Sequence, residues 1–202
     1  MILRHSVGDR LNHWLIAIAY VFLFLSGLAM FHPFYFWVSQ VFGSGQFMRL
    51  LHPFAGVLLA LMFYPYAAKH WRDNKWLRAD TSWVRNMLAV MQKRHHPEDT
   101  GKYNAGQKLM FWSMVPIIAV LLATGVMLWQ PWFAPAFPPV ARRVAGLLHV
   151  VAAFGMFVGI GVHWYAAYWT RGSVRAMIRG FVTRQWAKFH HPAWFKEMTG
   201  GE

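Results

Sequence analysis

LLHVVAAFGMFVGIGVHW, residues 147–164, sets two histidines fourteen residues apart in a stretch otherwise apolar enough to sit in lipid. Ionisable side chains at membrane depth are costly and mark function there. The apolar run around this stretch, Val144–Trp169, has three counterparts: Trp14–Met30, Leu50–Ala68 and Leu109–Trp129. Each is close to the roughly 20 residues a helix needs to cross a hydrocarbon core of about 30 Å. With 57% hydrophobic and only 13% charged residues in 202, a soluble domain could not hide so much apolar surface. The expected fold is all-α: an integral membrane four-helix bundle with short interfacial helices. The expected spans are about 12–31, 49–69, 108–129 and 144–170, with 171–202 as a cytoplasmic tail, all in one domain. The first run lacks a small-x-small cleavage pattern after it and is read as a retained helix.

The net charge of +13 is distributed as a membrane protein distributes it. Arg4, Arg10, nine Lys/Arg between spans two and three and six after span four stand against only Arg49, Arg142 and Arg143 in the other two connections. This asymmetry puts both termini and the long middle loop in the cytoplasm. Basic segments beside a membrane also attract anionic lipid. No stacking platform or recognition motif points to nucleic acid. The chain has no cysteine, which excludes disulfides, thiolate-held iron–sulfur clusters and covalently attached haem. All seven acidic residues are expected outside the spans, which argues against a carboxylate-relay pump.

The outer connection HPFYFWVSQVFGSGQ (32–46) reads as a short interfacial helix and a turn, and QPWFAPAFPPVARR (130–143) as a proline-broken interfacial segment. In the middle loop, DTSWVRNMLAVMQKRHH (80–96) reads as a surface helix capped at Asp80 or Ser82. The tail SVRAMIRGFVTRQWAKFHHPAW (173–194) alternates basic and apolar positions and suits a helix lying on the inner leaflet.

Seven histidines (His5, His32, His70, His95, His96, His190 and His191) fall outside the spans or at their margins, where solvation makes them cheap. The other four sit just inside span ends. Span one enters from the cytoplasm, so His13 is near the inner face; spans two and four start outside, so His52 and His149 are near the outer face. Fourteen residues on, His163 is about 21 Å deeper and within roughly 40° of the same helix face. The result is two levels, His52 with His149 and His13 with His163. Paired imidazoles on facing helices can hold the iron of a non-covalent haem b from both sides, leaving an electron-exchanging centre with no open position. Two such haems, one per level, could carry electrons across the bilayer. Two histidines per level leave a tetrahedral zinc shell incomplete. Gly27, fourteen residues after His13, and Gly56, one turn after His52, suit a flat macrocycle, although small residues also let membrane helices approach.

The segments DRLNHW (9–14), LLHPFAG (50–56), DTGKYNAGQKLMFW (99–112), TGVMLWQPWFA (124–134), LLHVVAA (147–153), HWYAAYWTRGSVRAMIRG (163–180) and RQWAKFHHPAWF (184–195) run through nearly the whole chain. Together they resemble the cytochrome b (gamma) subunit of respiratory, membrane-bound formate dehydrogenase. GKYNAGQK and AKFHHPAW are the most distinctive pieces. The resemblance implies two b haems on the four histidines derived above. It also implies a cytoplasm-side quinone site at Asn104, Gly106 and Gln107, beside the inner haem; read without it, Asn104 is a helix cap. The implied role is a bacterial inner-membrane, multi-pass anchor that passes electrons from an iron–sulfur beta subunit through the two haems to quinone. Formate oxidation would belong to a molybdenum or tungsten partner subunit, with the complex assembled as a trimer. The alternatives are a di-haem anchor of another quinone-linked oxidoreductase, of hydrogenase, thiosulfate reductase or superoxide oxidase type, and a haem-free transporter or anchor.

Overall fold

The computed structural model describes residues 1–92 and 99–200. Lys93, Arg94, His95 and His96 of the expected surface helix lie outside the described residues.

Four helices are long and apolar enough to cross a membrane: α1 (Val7–Phe31), α3 (Gly45–His70), α6 (Ala105–Leu128) and α7 (Pro139–Trp169). Short helices α2 (Val38–Val41), α4 (Arg78–Arg85), α5 (Met87–Met91), α8 (Ser173–Arg179), α9 (Arg184–His190) and α10 (Pro192–Thr199) fill the connections and tail. Three of the long helices, α1, α3 and α6, start earlier than hydropathy indicates because Ser6, Ser44 and Asn104 cap a first turn that lies ahead of the apolar run. Ser6 caps α1: its Oγ accepts from Asp9 N–H and donates to Asp9 Oδ2 at 2.7 Å. Asp9, expected outside the span, therefore stands in the first turn of α1, where the helix dipole favours a carboxylate.

The chain divides into two compact units. One comprises residues 11–66 and 114–161, most of the four long helices. Its buried side chains are few, among them Leu59, Ala60, Met114, Ile118 and Met156. Ile18, Leu61, Val151 and Phe154 stay exposed, an outer surface that only lipid or another apolar partner can satisfy. Phe24 stacks on Phe157 with centroids 5.1 Å apart, and Tyr64 donates to the Val115 carbonyl at 3.0 Å. The connection after α1 forms the expected interfacial structure: a 3-10 turn at Pro33–Tyr35, then α2 and a left-handed Gly43, with Val38 packed on Ala29 and Met48.

The other unit comprises residues 1–10, 67–113 and 162–202. Its tail is not one helix. Gly172 and Gly180 turn the chain at φ +98° and +87°, and a Cβ would come within 2.9 Å of the Trp186 indole nitrogen and of the His5 carbonyl, respectively. Thr183 then caps α9, and Pro192 opens α10. Directly after the second turn, β2 (Phe181–Val182) pairs antiparallel with β1 (Ile2–Leu3), and Ala176, Val182, Ala187, Trp194 and Phe195 form a small core. The middle-loop helix also departs from expectation. Asp80 stands at the third position of α4, accepting from the Leu77 N–H at 2.7 Å, and the helix breaks at Asn86 before α5. Asp80 is buried and is ion-paired at 2.7 Å with the buried Lys108.

Candidate functional site

His52 in α3 and His149 in α7 come together in the first unit, with ring centroids 6.3 Å apart and planes tilted by 58°. Two metal–nitrogen bonds of about 2 Å, plus about 1 Å from each ring centre to its nitrogen, give a centroid separation near 6 Å. Rings in direct contact span roughly 4.5–7 Å, so the separation admits two imidazoles on either side of one metal ion, and the partners of each ring have to distinguish the two arrangements.

The orientation of each ring is held from a neighbouring helix. Ser26, fully buried in α1, donates its only proton to the Phe22 carbonyl at 2.7 Å. Its lone pair is left to accept from Nδ1–H of His52, also at 2.7 Å. Thr124 in α6 repeats the arrangement: it donates to the Val120 carbonyl at 2.6 Å and accepts from His149 Nδ1 at 2.9 Å. With Nδ1 protonated in both rings, each Nε2 carries the free lone pair that a metal needs. A glycine follows each hydroxyl. A Cβ on Gly27 would stand 3.6 Å from Cε1 of His52, and one on Gly125 would stand 3.5 Å from Cε1 of His149. Both glycines thus lie beside the ring edge at Cε1, where a Cβ would just reach contact.

The donor set fits a haem b: two imidazoles in an apolar bundle, each with Nδ1 met by a hydroxyl so that Nε2 is the nitrogen left for iron. Among the described residues no group of three or more His, Cys, Asp or Glu gathers to hold a metal ion, so a tetrahedral site has no basis here. Gly27 lies where the sequence reading puts it. Gly56 does not join the site; its nearest neighbour is Leu23 Cδ2 at 3.9 Å, a helix-packing contact. The residues missed are Ser26, Thr124 and Gly125. Their signal was a hydroxyl–glycine pair, SG at 26–27 and TG at 124–125, at matching depth in spans one and three.

His13 and His163 fall in different units, and each is described by itself. His13 is half-buried on α1, edge-on to Trp14 at 5.4 Å, and His163 is on an exposed face of α7. In the second unit, Asn104 caps α6 reciprocally with Gln107. Asn104 Oδ1 accepts from Gln107 N–H at 2.9 Å and Gln107 Oε1 accepts from Asn104 N–H at 3.0 Å. The cap reading is thus a fact of the fold. Both carboxamide oxygens serve it, and the NH2 groups are the parts left to meet an incoming carbonyl. Gly106 lets the backbone pass beneath Trp83, whose ring would lie 3.2 Å from a Cβ.

Three of the seven marginal histidines are buried rather than solvated: His5, His70 and His191. His191 donates from Nδ1 to the Gly101 carbonyl at 2.8 Å and accepts on Nε2 from Arg4 at 3.0 Å. Burial and the facing guanidinium push this imidazole well below the ordinary histidine range. Arg4 lies between Trp186 and Trp194, 4.9 and 5.1 Å from their centroids, and also donates to the Lys102 carbonyl. Burial brings its guanidinium down to about 10.

The family model of the prokaryotic cytochrome b561 matches residues 4–180. The nitrate-inducible formate dehydrogenase cytochrome b556(Fdn) subunit of Escherichia coli K12 is 42% identical over 207 residues, covering 100% of this chain and 94% of that one. The cytochrome b556(fdo) subunit of the same strain is 40% identical, covering 98% and 93%. The formate dehydrogenase cytochrome b556 subunit of Haemophilus influenzae is 38% identical, covering 97% and 83%.

Proposed function

The chain belongs to the prokaryotic cytochrome b561 family, alongside the cytochrome b556 subunits of formate dehydrogenase, and we propose that it carries electrons from an iron–sulfur partner to quinone on the cytoplasmic side. It is a multi-pass membrane protein and an electron-transfer subunit of formate dehydrogenase. The further reading gives it two b haems, the outer on His52 and His149 and the inner on His13 and His163. Both termini would face the cytoplasm of a bacterial inner membrane, as the Lys/Arg distribution indicates. Formate oxidation would belong to a molybdenum or tungsten partner. This chain has no cysteine with which to hold an iron–sulfur cluster of its own.

The observation that carries the reading is the outer pair, opposed across 6.3 Å with each Nδ1 tied to a hydroxyl. When bound there, haem b supplies an iron that exchanges single electrons. The protein's own part would be to hold both imidazoles neutral, fix their planes and offer one Nε2 from each ring, leaving no open position for a substrate. Ser26 and Thr124 do the first two, and the apolar helices around them keep water out. At the other end, the Asn104 and Gln107 NH2 groups would donate to a quinone carbonyl while their oxygens keep α6 capped. The inner pair rests on helix arithmetic: His163 is fourteen residues after His149, and His13 is fourteen before Gly27.

The test is the visible spectrum and haem content of the complex purified through this chain. The expected result is two haems b per chain, a Soret band, and α-bands that appear with formate and disappear on adding quinone. A preparation with no haem would favour the anchor or transporter alternative and end this proposal.

A further inference from the structure

Outside the histidine pairs, the second unit holds a chain of titratable side chains for which electron transfer alone has no use. His70, buried at the end of α3, faces a carboxylate on each ring nitrogen: Asp9 Oδ1 lies 3.2 Å from Nε2 and Asp73 Oδ2 lies 3.7 Å from Nδ1. The side chain of Asp73 is 38% exposed, that of His70 only 8% and that of Asp9 12%. The row therefore runs from a partly exposed carboxylate, through a buried ring, to a largely buried carboxylate. Lys102 pairs with Asp73 at 2.8 Å, and Lys69 and Ser6 hold Asp9 at 2.6 and 2.7 Å. The Asn74 amide donates to the His70 carbonyl at 2.9 Å, which fixes the turn that carries the ring.

Both carboxylates act on the residue that precedes the quinone site proposed above. Asp9 is four residues before His13, hence one turn away on the same face of α1. Tyr103, next to Asn104, is raised to about 12 by burial, and Asp73 and Asp9 push it the same way against Arg4. The carboxylates that flank His70 are thus near enough to act on the residue that leads into the Asn104–Gln107 cap.

We propose that His70 is a proton relay, taking protons from the cytoplasm through Asp73 and passing them to Asp9 for quinone reduction. The inference rests on the quinone reading. Reducing one quinone to quinol takes two electrons, from the formate-oxidising partner by way of this chain, and two protons, one for each carbonyl oxygen, from water. A ring with a carboxylate on either nitrogen can accept a proton on Nδ1 while releasing one from Nε2, so no buried charge has to travel alone. The 3.7 Å gap to Asp73 is one that a bridging water or a small ring rotation closes. Each carboxylate that faces the ring is itself paired with a lysine, Asp9 with Lys69 and Asp73 with Lys102.

The test uses the intact complex with His70→Gln, which keeps a hydrogen-bonding side chain but cannot carry a proton. Formate-driven reduction of a soluble quinone is compared with reduction of a ferricinium salt, which takes an electron and no proton. The expected result is quinone turnover lowered by roughly tenfold at pH 8 and less at pH 6, partly restored by added imidazole, with ferricinium reduction and haem content unchanged. Asp73→Asn, at a half-exposed position that folding tolerates, should show the same pattern more weakly and decides the matter if His70→Gln does not assemble. The relay is overturned if both variants keep wild-type quinone turnover across pH, or if turnover falls equally at every pH and imidazole does not restore it. If the unaltered complex reduces ferricinium but no quinone, the quinone reading itself falls, and the relay with it.

Discussion

His52 and His149 in one unit, and His70 and His191 in the other, are all imidazoles taken out of water, yet they are partnered in opposite ways. The first two are met by hydroxyls that have already given their proton to a backbone carbonyl. Such a partner can only accept, so it fixes Nδ1–H, adds no charge and leaves Nε2 for a metal. The second two meet full charges: carboxylates on both nitrogens of His70, a guanidinium on His191. A neutral partner makes a ligand of a histidine, and a charged one makes it a proton carrier or a clamp. Burial alone distinguishes neither.

The largest effect that could break this comparison is loss of a ligand. His149→Ala should halve the haem content and abolish formate-driven reduction of whatever haem remains. His191→Ala, which removes a more deeply buried ring, should leave the haem count at the wild-type value. Equal haem loss in the two variants would mean that the outer ring is only structural.

A smaller change tests the hydroxyls. Thr124→Val keeps the shape and removes the acceptor. The helix itself loses nothing by it, because back-bonding of a threonine to the carbonyl four residues earlier slightly destabilises and bends helices. Any effect therefore reports on His149. Loss of such an outer partner typically weakens metal retention by about 10–100-fold, so haem should pass to a scavenging apoglobin correspondingly faster from the variant. Unchanged transfer would show that the hydroxyl does not set the ring.

The same comparison shows what the sequence could and could not reveal. The four spans and the level shared by His52 and His149 follow from apolar run length and a 1.5 Å rise, quantities that depend only on position along one helix. Ser26 and Thr124 were half-visible, since a hydroxyl in a membrane helix normally satisfies itself on its own backbone and only the facing helix shows its second role. His70, His191 and His5 were misjudged because apolar-run reading treats whatever lies past a span as wet. It cannot see that Gly172 and Gly180 fold the tail onto the N-terminal strand, or that Arg4 meets His191 across 187 positions of sequence. Asp80 was misplaced for a related reason: a capped polar first turn carries no hydropathy signal.

The smallest effect concerns the clamp. His191 is neutral in the folded chain, with its Nε2 lone pair receiving Arg4, so a proton added there would turn a hydrogen bond into a like-charge contact. The folded value lies well below the ordinary 6.5, so the folded state binds fewer protons than the unfolded one in between. This contribution to stability is complete above about pH 6.5 and is lost progressively as pH falls toward the lowered value. Hydrogen exchange on the complex should therefore show faster opening of residues 2–3 and 181–182 at pH 5.5 than at pH 7.5, after correction for the intrinsic rate. His191→Gln, which can still accept from Arg4 and donate to the Gly101 carbonyl but cannot charge, should flatten that dependence. The haem-side helices should show no matching change at these two pH values, because in the loaded complex each outer ring would have its nitrogens taken up by iron and a hydroxyl. Opening at β1 and β2 that tracks pH equally in His191→Gln would assign the sensitivity to another group, with His5 the next buried ring to test.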